Sequence, residues 1–282
     1  MYYILYNPLS SNGKSVELIK DVEAELSKTN EEVKAIDLVR VSKNIPGFVR
    51  KIKSDDKFVI LGGDGTLHRF ANEIKNIPNQ NEIYLYKGGT GNDFSREFKN
   101  QQLINISNYI RNLPKYLTDG EEMVFLNSCG FGIDGAVCAA VNDSKTKKSG
   151  LEYAKKLLSL LKTFPRYDLD VEVDGVRHTF KKVWLAAVCN GQYFGGGMKI
   201  SPTSDRSDDV LECYVIHTLG FAKLLCVFPS IFIGKHMWFK KSGVTFLTGR
   251  KFKFAASQPL PFQSDGEVVL DVKEFSVEID KK

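Results

Sequence analysis

Hydrophobic positions in the first part of the chain alternate between two periods. Tyr2–Tyr6 is a short apolar run that predicts a strand, and apolar residues recurring every three or four positions over Val16–Leu26 predict an amphipathic helix. Val33–Val39 predicts a second strand, followed by a helix ending near Lys53. Phe58–Leu61 and Ile83–Tyr86 predict two more strands, each running into a glycine-rich turn. After the first of these turns, Leu67, Phe70, Ala71 and Ile74 return to helical spacing. Such βαβα alternation predicts a mainly parallel, doubly wound sheet whose ligands sit at the carboxyl ends of the strands. From about residue 120 strand-like runs dominate: Met123–Ser128, Leu169–Val173, Val176–Lys182, Val183–Cys189, Val210–His217, Val244–Leu247, Lys251–Ala255, Val268–Val272 and Phe275–Ile279. The expected organisation is an α/β domain over 1–120 and an antiparallel β-rich domain over 121–282, divided near Thr118–Glu122. No internal repeat or low-complexity tract interrupts this pattern.

Two segments break the alternation. Residues 219–239 form the most apolar stretch, but Lys223, Pro229 and Lys235 interrupt it. A spanning helix needs about 20 mostly apolar residues, so the stretch predicts a buried or lipid-contacting helix and no transmembrane segment. Gly150 to Arg166 carries Leu151, Ala154, Leu157, Leu158 and Leu161 with Lys155, Lys156 and Lys162 between them. That spacing predicts core packing with a solvated basic face in preference to membrane docking.

Composition narrows the class. A chain of 282 residues with 43% hydrophobic and 26% charged content is that of an ordinary globular protein. The opening Met-Tyr-Tyr-Ile-Leu-Tyr-Asn-Pro lacks a basic n-region and turns polar by residue 7, which predicts no signal peptide. The five cysteines, Cys129, Cys138, Cys189, Cys213 and Cys226, are scattered without Cys-x-x-Cys spacing. They argue for a reducing cytoplasm and against a zinc site or a disulfide framework. A net charge of +5 suits anionic small molecules or an acidic lipid surface, and serves solubility equally well.

Chemistry concentrates in the turns. Phe58-Val-Ile-Leu-Gly-Gly-Asp64-Gly-Thr66 joins a buried strand to a helix through glycines, one carboxylate and one hydroxyl. Glycine lets backbone N–H groups approach phosphate oxygens closely. A carboxylate there would repel phosphate unless it reached a metal ion or a ribose hydroxyl, so Asp64 speaks for a nucleotide. Asn7-Pro8-Leu9-Ser10-Ser11-Asn12-Gly13-Lys14 follows the first strand, and Gly88-Gly89-Thr90-Gly91-Asn92-Asp93-Phe94 follows the fourth. Any one of the three could be a plain connection. Three at the same ends of parallel strands predict a bound ligand.

These residues resemble the catalytic domain of the diacylglycerol kinase family, which includes sphingosine kinases and bacterial lipid kinases. The likeness runs over nearly the whole chain, through Asn127, Gly130-Phe131-Gly132, Gly195-Gly196-Gly197-Met198, Pro202, Asp208 and Asp265-Gly266-Glu267. The Gly-Gly-Asp-Gly-Thr core is shared with NAD kinases, and Gly-Thr-Gly-Asn-Asp-Phe points to the lipid branch. The resemblance implies an NAD kinase-like α/β domain, a β-rich domain, and ATP in the cleft between them. It implies nucleotide contacts from Asn7, Pro8, Gly62, Gly63, Asp64, Gly65, Thr66, Leu67, His68, Gly89, Thr90, Asn92 and Asp93. It implies Glu267, with Asp265 beside it, as the base that takes a proton from the lipid hydroxyl. Bacterial lipid kinases further imply Mg²⁺ at the Asp208 side chain and the backbone carbonyls of Asp205 and Val210, with water completing the shell. Two residues depart from the family pattern: His68 replaces asparagine, and Asp209 replaces glycine.

The expected activity is ATP-dependent phosphorylation of a lipid hydroxyl, with diacylglycerol or a related membrane lipid as acceptor. The alternatives are an NAD kinase-like enzyme and an inactive regulator that binds nucleotide or lipid. The expected setting is the cytoplasm, with peripheral association at the inner face of the membrane, no nucleic-acid partner, and a homodimer left open. Two local patterns compete with these assignments. Asp-Gly is a hairpin signal in its own right, and it recurs at Asp119-Gly120 and at Asp174-Gly175, where the flanking alternation predicts a hairpin. Gly130-Phe-Gly-Ile-Asp-Gly135 fits a dinucleotide fingerprint with Glu152 twenty residues past its second glycine. Residues 151–161 predict helix, so no second parallel strand presents that acid to a ribose.

Overall fold

The computed structural model describes residues 1–8, 10, 15–41, 44–89, 91–142 and 156–280. The chain forms two compact units, Met1–Arg111 and Asn112–Lys282. In the first, β1 (Tyr2–Tyr6), β2 (Val33–Asp37), β3 (Lys57–Gly62), β4 (Glu82–Lys87) and β5 (Leu103–Asn105) line up in the order β2-β1-β3-β4-β5. All pairs are parallel except β4 with β5. The connections carry α1 (Ser15–Leu26), α2 (Leu38–Val41), α3 (Ile45–Val49) and α4 (Asp64–Ile74), and α5 (Ser107–Arg111) closes the unit.

β3 is apolar from Phe58 to Leu61 because both of its faces are covered. Val59 and Leu61 pack with Ile4, Val22 and Leu26, while Phe58 meets Phe70 of α4 with ring centroids 6.1 Å apart. The second strand is shorter than its apolar run. Asp37 Oδ1 accepts from the Val39 N–H at 2.8 Å and turns the chain into α2. The single helix expected up to Lys53 is two short ones. Pro46 stands in the first turn of α3, whose N-cap Asn44 accepts from the Gly47 N–H at 2.8 Å. Proline has no N–H to extend a preceding helix and suits the start of a new one.

The second unit contains β6 (Lys115–Thr118), β7 (Glu121–Val124), β8 (Ser128–Gly132), α6 (Ile133–Asn142), β9 (Tyr167–Val173), β10 (Val176–Cys189), β11 (Leu211–His217), α7 (Phe221–Phe232), β12 (Val244–Gly249), β13 (Lys251–Ser264) and β14 (Glu267–Glu278). Its strands pair antiparallel in the order β12-β11-β10-β8-β13-β14-β6-β7. β9 pairs with both β10 and β13, the two neighbours of β8. These four strands therefore close on one another, so none of the four is left as an edge, and the order ends at β12 and β7. Inside lies an aromatic core in which Phe254 and Phe275 stack with centroids 4.3 Å apart and Phe131 meets Phe275 edge-on at 4.7 Å.

Several expected strands merge or divide. Val176–Lys182 and Val183–Cys189 form one strand whose register shifts between Phe180 and Val183, where Lys182 adopts φ 54°. Lys251–Ala255 continues to Ser264, and the last two expected strands are both β14. Bulges let long strands bend around a closed core. Met123–Ser128 instead breaks at residues 125–127. The division expected near Thr118–Glu122 falls inside the β6–β7 hairpin, and Leu117 of that hairpin pairs with Ser276 of β14.

The apolar stretch at 219–239 forms α7, with Pro229 inside it, and a 3-10 turn over His236–Ser242. Among the described residues no helix is long and apolar enough to cross a membrane. Residues 156–160 are helical, and Leu157 and Leu161 are buried in the same core as Leu224, Val227 and Ile231 of α7. Gly150, Leu151, Glu152, Ala154 and Lys155 lie outside the described residues, as do Leu9, Ser11, Asn12, Gly13, Lys14 and Thr90.

Candidate active site

In the first unit, register brings the predicted turns together. Tyr6 is level with Leu61 and Gly62 with Lys87, so the chain leaves β1, β3 and β4 at one edge of the sheet. A Cβ added to Gly63 would lie 2.9 Å from Gly89 Cα, so the two turns touch backbone to backbone and admit no side chain between them. Asp64 opens α4 and spans the gap. Its carboxylate accepts from the N–H of Asp93 at 2.9 Å and of Phe94 at 2.8 Å. The second turn closes on itself: Gly89 N–H donates to Asn92 Oδ1 at 3.1 Å, and Asn92 Nδ2 donates to the Gly89 carbonyl at 2.7 Å. Asn92 adopts φ 55°, a conformation asparagine tolerates better than most residues. Asp93 is buried and pairs with Arg96 at 3.4 Å.

Asp64 thus has a role the sequence reading did not foresee. Its charge is met by two backbone N–H groups of the neighbouring turn and by its place in the first turn of a helix. No side chain caps α4 at Gly63, and a Cβ on Gly65 would meet nothing within 4 Å. The helix start therefore presents backbone to open space, the arrangement that suits a phosphate. The Asn7 carbonyl accepts from Ser15 Oγ at 2.7 Å and from the Ser10 N–H at 3.0 Å, tying the first turn to α1. Leu67 and His68 point the other way. Both are buried, and Asn72 Nδ2 lies 3.3 Å from His68 Nε2. The imidazole that departs from the family pattern is a packed side chain one helical turn from its partner, so only its backbone is available to a nucleotide.

In the second unit the three Asp-Gly pairs share one backbone conformation. Asp119, Asp174 and Asp265 have φ of 50°, 48° and 48°, each followed by a glycine at positive φ, and each pair joins two adjacent antiparallel strands. This is the two-residue turn whose twist matches a hairpin. What separates them is the aspartate side chain. Asp174 accepts from the N–H groups of Arg250 and Lys251 at 3.1 and 2.9 Å. Asp265 accepts from Leu126, Asn127 and Ser128 at 2.6, 2.8 and 3.3 Å. Its carboxylate is committed to positioning the segment between β7 and β8. Glu267 opens β14 opposite Ser264, with an exposed carboxylate.

The acidic turn at 205–210 folds on itself. The Asp208 N–H donates to the Asp205 carbonyl at 3.2 Å, and Asp208 Oδ1 accepts from the Val210 N–H at 3.0 Å. Asp209, the second departure from the family pattern, turns away to Arg250 at 2.9 Å. Among the described residues, no three His, Cys, Asp or Glu side chains converge as a metal site. The exposed turn still offers one carboxylate and two backbone carbonyls, the hard oxygen donors that suit Mg²⁺ with waters retained.

The model of the Diacylglycerol kinase catalytic domain matches residues 1–119, and that of the YegS C-terminal NAD kinase beta sandwich-like domain matches residues 127–277. The chain belongs to the diacylglycerol kinase catalytic-domain family. YtlR of Bacillus subtilis, which carries a lipid-kinase name, is 24% identical over 95% of this chain and 93% of its own length. A diacylglycerol kinase of Mycobacterium tuberculosis is 26% identical over 83% of this chain and 78% of that protein. The fold matches a crystal structure of a diacylglycerol kinase from Bacillus anthracis, with TM-score 0.72 and 20% identity over 99% of this chain and 94% of the other. Lipid-kinase function is what this membership supports.

The structure gives contacts to polar residues that the sequence left without a role. Arg206 is buried, bonds the Leu126 carbonyl through Nη1, and donates from Nη2 to Asn127 Oδ1 at 2.6 Å. Asn190 Nδ2 donates to the same carbonyl at 3.0 Å. Residues 126–128 are thus held by Asp265 on their N–H groups and by Arg206 and Asn190 on their acceptors. That network joins the acidic turn to the hairpin of Glu267. Glu212, buried in β11, accepts from Ser204 Oγ and Tyr214 Oη, both at 3.2 Å, and bonds Ser201 Oγ.

The glycines of the rejected dinucleotide fingerprint lie inside the second unit. A Cβ on Gly132 would sit 2.6 Å from the Trp184 carbonyl, and one on Gly135 2.7 Å from that of Pro261. Close backbone approach explains them, between neighbouring strands at Gly132 and between α6 and β13 at Gly135. The aspartate inside that motif is unusual. Asp134 is 3% exposed, its Oδ2 accepts from Gln263 Nε2 at 3.1 Å, and burial pushes its carboxyl up to about 7. It lines a narrow apolar cavity with Leu161, Trp184, Leu224 and Phe228, walled by α6 and α7.

Proposed function

We propose that the protein transfers the γ-phosphoryl group of ATP to a hydroxyl of diacylglycerol or a related membrane lipid. The observation that carries this reading is the locked pair of turns, Gly62–Thr66 and Gly89–Phe94, at the carboxyl ends of β3 and β4. Backbone N–H groups of these turns and the uncapped start of α4 would hold phosphate and ribose. In this reading Asp64 shapes the pair of turns, and the backbone meets the phosphates. Catalysis is then positioning and charge neutralisation, because the transition state spreads charge over the transferred phosphoryl oxygens.

Glu267 would take the proton of the attacking hydroxyl. The lipid oxygen forms a bond to the γ-phosphorus as the bond to the bridging oxygen of ADP breaks. Asp265, bound to three N–H groups, is a positioning residue for the Leu126–Ser128 segment beside that base. Mg²⁺, when bound, supplies charge neutralisation, and Asp208 with the carbonyls of Asp205 and Val210 would hold it. The acceptor lies in a bilayer, so the reading sets the protein in the cytoplasm, working at the inner face of the membrane.

An acceptor profile tests the reading. The protein is incubated with radiolabelled ATP and Mg²⁺, and with diacylglycerol, sphingosine, phosphatidylglycerol or NAD. Label in a phospholipid product is expected, strongest with diacylglycerol. Label in NAD alone overturns the lipid reading, and ATP binding without transfer to any acceptor turns it into that of a regulator.

A further inference from the structure

We infer that the outer face of α7 and the turn after it form a docking surface for a bilayer containing anionic lipids. The inference deepens the lipid-kinase reading and rests on it for the reason a bilayer is approached, but it stands on separate observations. Helix α7 carries two apolar stripes. Leu224, Val227 and Ile231 are buried and form the inner one. Phe221, Leu225 and Phe232 fall on a second stripe at helical spacing and are exposed, with Phe228 edge-on to Phe232 at 5.5 Å. Just past the end of the helix, Gly234 adopts φ 68° and reverses the chain. The Lys235 N–H closes that reversal on the Ser230 carbonyl at 2.8 Å. Ile233 and Trp238 follow the outer stripe and are 64% and 75% exposed.

A folded chain gains nothing in water from this arrangement. Apolar side chains on the solvent face of a helix are tolerated singly, but a contiguous set marks an interaction surface. Charge decides which partner. Residues 218–243 contain Lys223, Lys235, Lys240 and Lys241 and neither Asp nor Glu. The Lys235 ammonium sits 4.8 Å from the Trp238 ring centroid. A tryptophan with a lysine beside it is the pairing favoured at a lipid–water boundary, where the ring enters the headgroup layer and the ammonium meets phosphate. Phenylalanine and leucine on one face with lysine nearby are the composition of an interfacial helix. A neutral protein partner would not require the absence of acids over the whole segment.

Trp238 supplies its own probe, because the only other tryptophan, Trp184, is buried. The full-length protein is titrated with phosphatidylcholine vesicles and with vesicles of phosphatidylcholine and phosphatidylglycerol, without ATP. With the anionic vesicles, the emission is expected to shift to the blue, brominated acyl chains to quench it, and high salt to weaken binding. Ile233→Asp/Trp238→Ser and Lys235→Glu/Lys240→Glu are expected to lower vesicle affinity, measured by co-sedimentation, tenfold or more. Both variants should keep parental turnover on lipid dispersed in detergent. Binding by the variants equal to the parent overturns the inference. So does a concentration-dependent dimer that Ile233→Asp/Trp238→Ser abolishes, which would make the face a contact between copies. Vesicle binding without transfer to any lipid leaves the surface standing and removes only the kinase reading.

Discussion

At the scale of single residues, the two motif carboxylates Asp64 and Asp265 bind the protein's own backbone. Asp64 and Asp265 would be expected from their motifs to face substrate or metal, yet both accept from N–H groups of a neighbouring segment. Hydrogen bonds to a charged acceptor are worth about 1.5–3 kcal/mol each. Asp64→Ala is therefore expected to abolish ATP binding and to lower the Tm of the protein by several degrees. Asp64→Asn, with one acceptor oxygen left, should fall between the two in both calorimetry and nucleotide titration. An alanine variant of unchanged Tm that fails to bind ATP would return the carboxylate to direct contact. Asp134 carries a pH dependence. Its carboxyl titrates near 3.8 when unfolded and near 7 when folded, so between those values the folded state holds a proton that the unfolded state has lost. Stability contributed by this group falls as pH rises from about 4 to about 7 and changes no further above that. Asp134→Asn should gain on the parent by roughly 2–4 kcal/mol between pH 4 and pH 8, read by urea unfolding at each pH. A difference independent of pH would mean that the carboxyl is ionised throughout. His236 acts in the opposite sense. Burial pulls it down to about 4, so its contribution is lost as pH falls from 6.5 toward 4.

At the scale of elements, the glycine turns explain themselves by what touches them. Gly63 and Gly89 are glycines because two turns leaving adjacent parallel strands meet at their Cα atoms. Gly65 has no such constraint. Gly89→Ala should force the turns apart, destabilise the protein by about 1–3 kcal/mol and weaken nucleotide binding at least tenfold. Gly65→Ala sits in the first turn of a helix with open space around it, and should leave stability unchanged or raise it by up to about 1 kcal/mol. Equal losses from the two changes would show that the contact between the turns is not what demands glycine. The same logic covers the hairpins. All three Asp-Gly pairs have one backbone form, so the dipeptide reports a turn, and only the surroundings of the side chain distinguish Asp265.

At the scale of the whole molecule, the proposed nucleotide turns and the proposed base belong to different units of the chain. Binding and chemistry should separate accordingly. Glu267→Gln is expected to bind ATP like the parent, keep its Tm, and lose turnover by about 10²–10⁴-fold, the usual worth of a general base. Parental turnover in this variant would remove Glu267 from the chemistry. The second unit contributes the surface of α7 as well, so transfer from bilayers should be more sensitive to salt than transfer to detergent-dispersed lipid.

Much of this was legible in the residues alone. Strand and helix periodicity announced the parallel sheet, and the change of texture near residue 120 announced the antiparallel one, because both follow from local alternation of apolar side chains. The chemistry of Gly-Gly-Asp-Gly-Thr and its companion turns pointed to a nucleotide, and their resemblance to the diacylglycerol kinase family pointed to a lipid kinase. Partners across the chain could not be read that way. Nothing local says that Asp64 reaches the N–H of Asp93, that Arg206 and Asp265 both hold Leu126 and Asn127, or that two pairs of expected strands run on as β10 and β14. These depend on register and on closure of a sheet, which join residues far apart in sequence. Packing gave the two family departures their contacts: His68 is buried beside Asn72, and Asp209 is paired with Arg250. Composition marked residues 219–239 as apolar, but burial divided the side chains of α7 between core and solvent, because a helix apolar on two sides has only one face to give to its own protein.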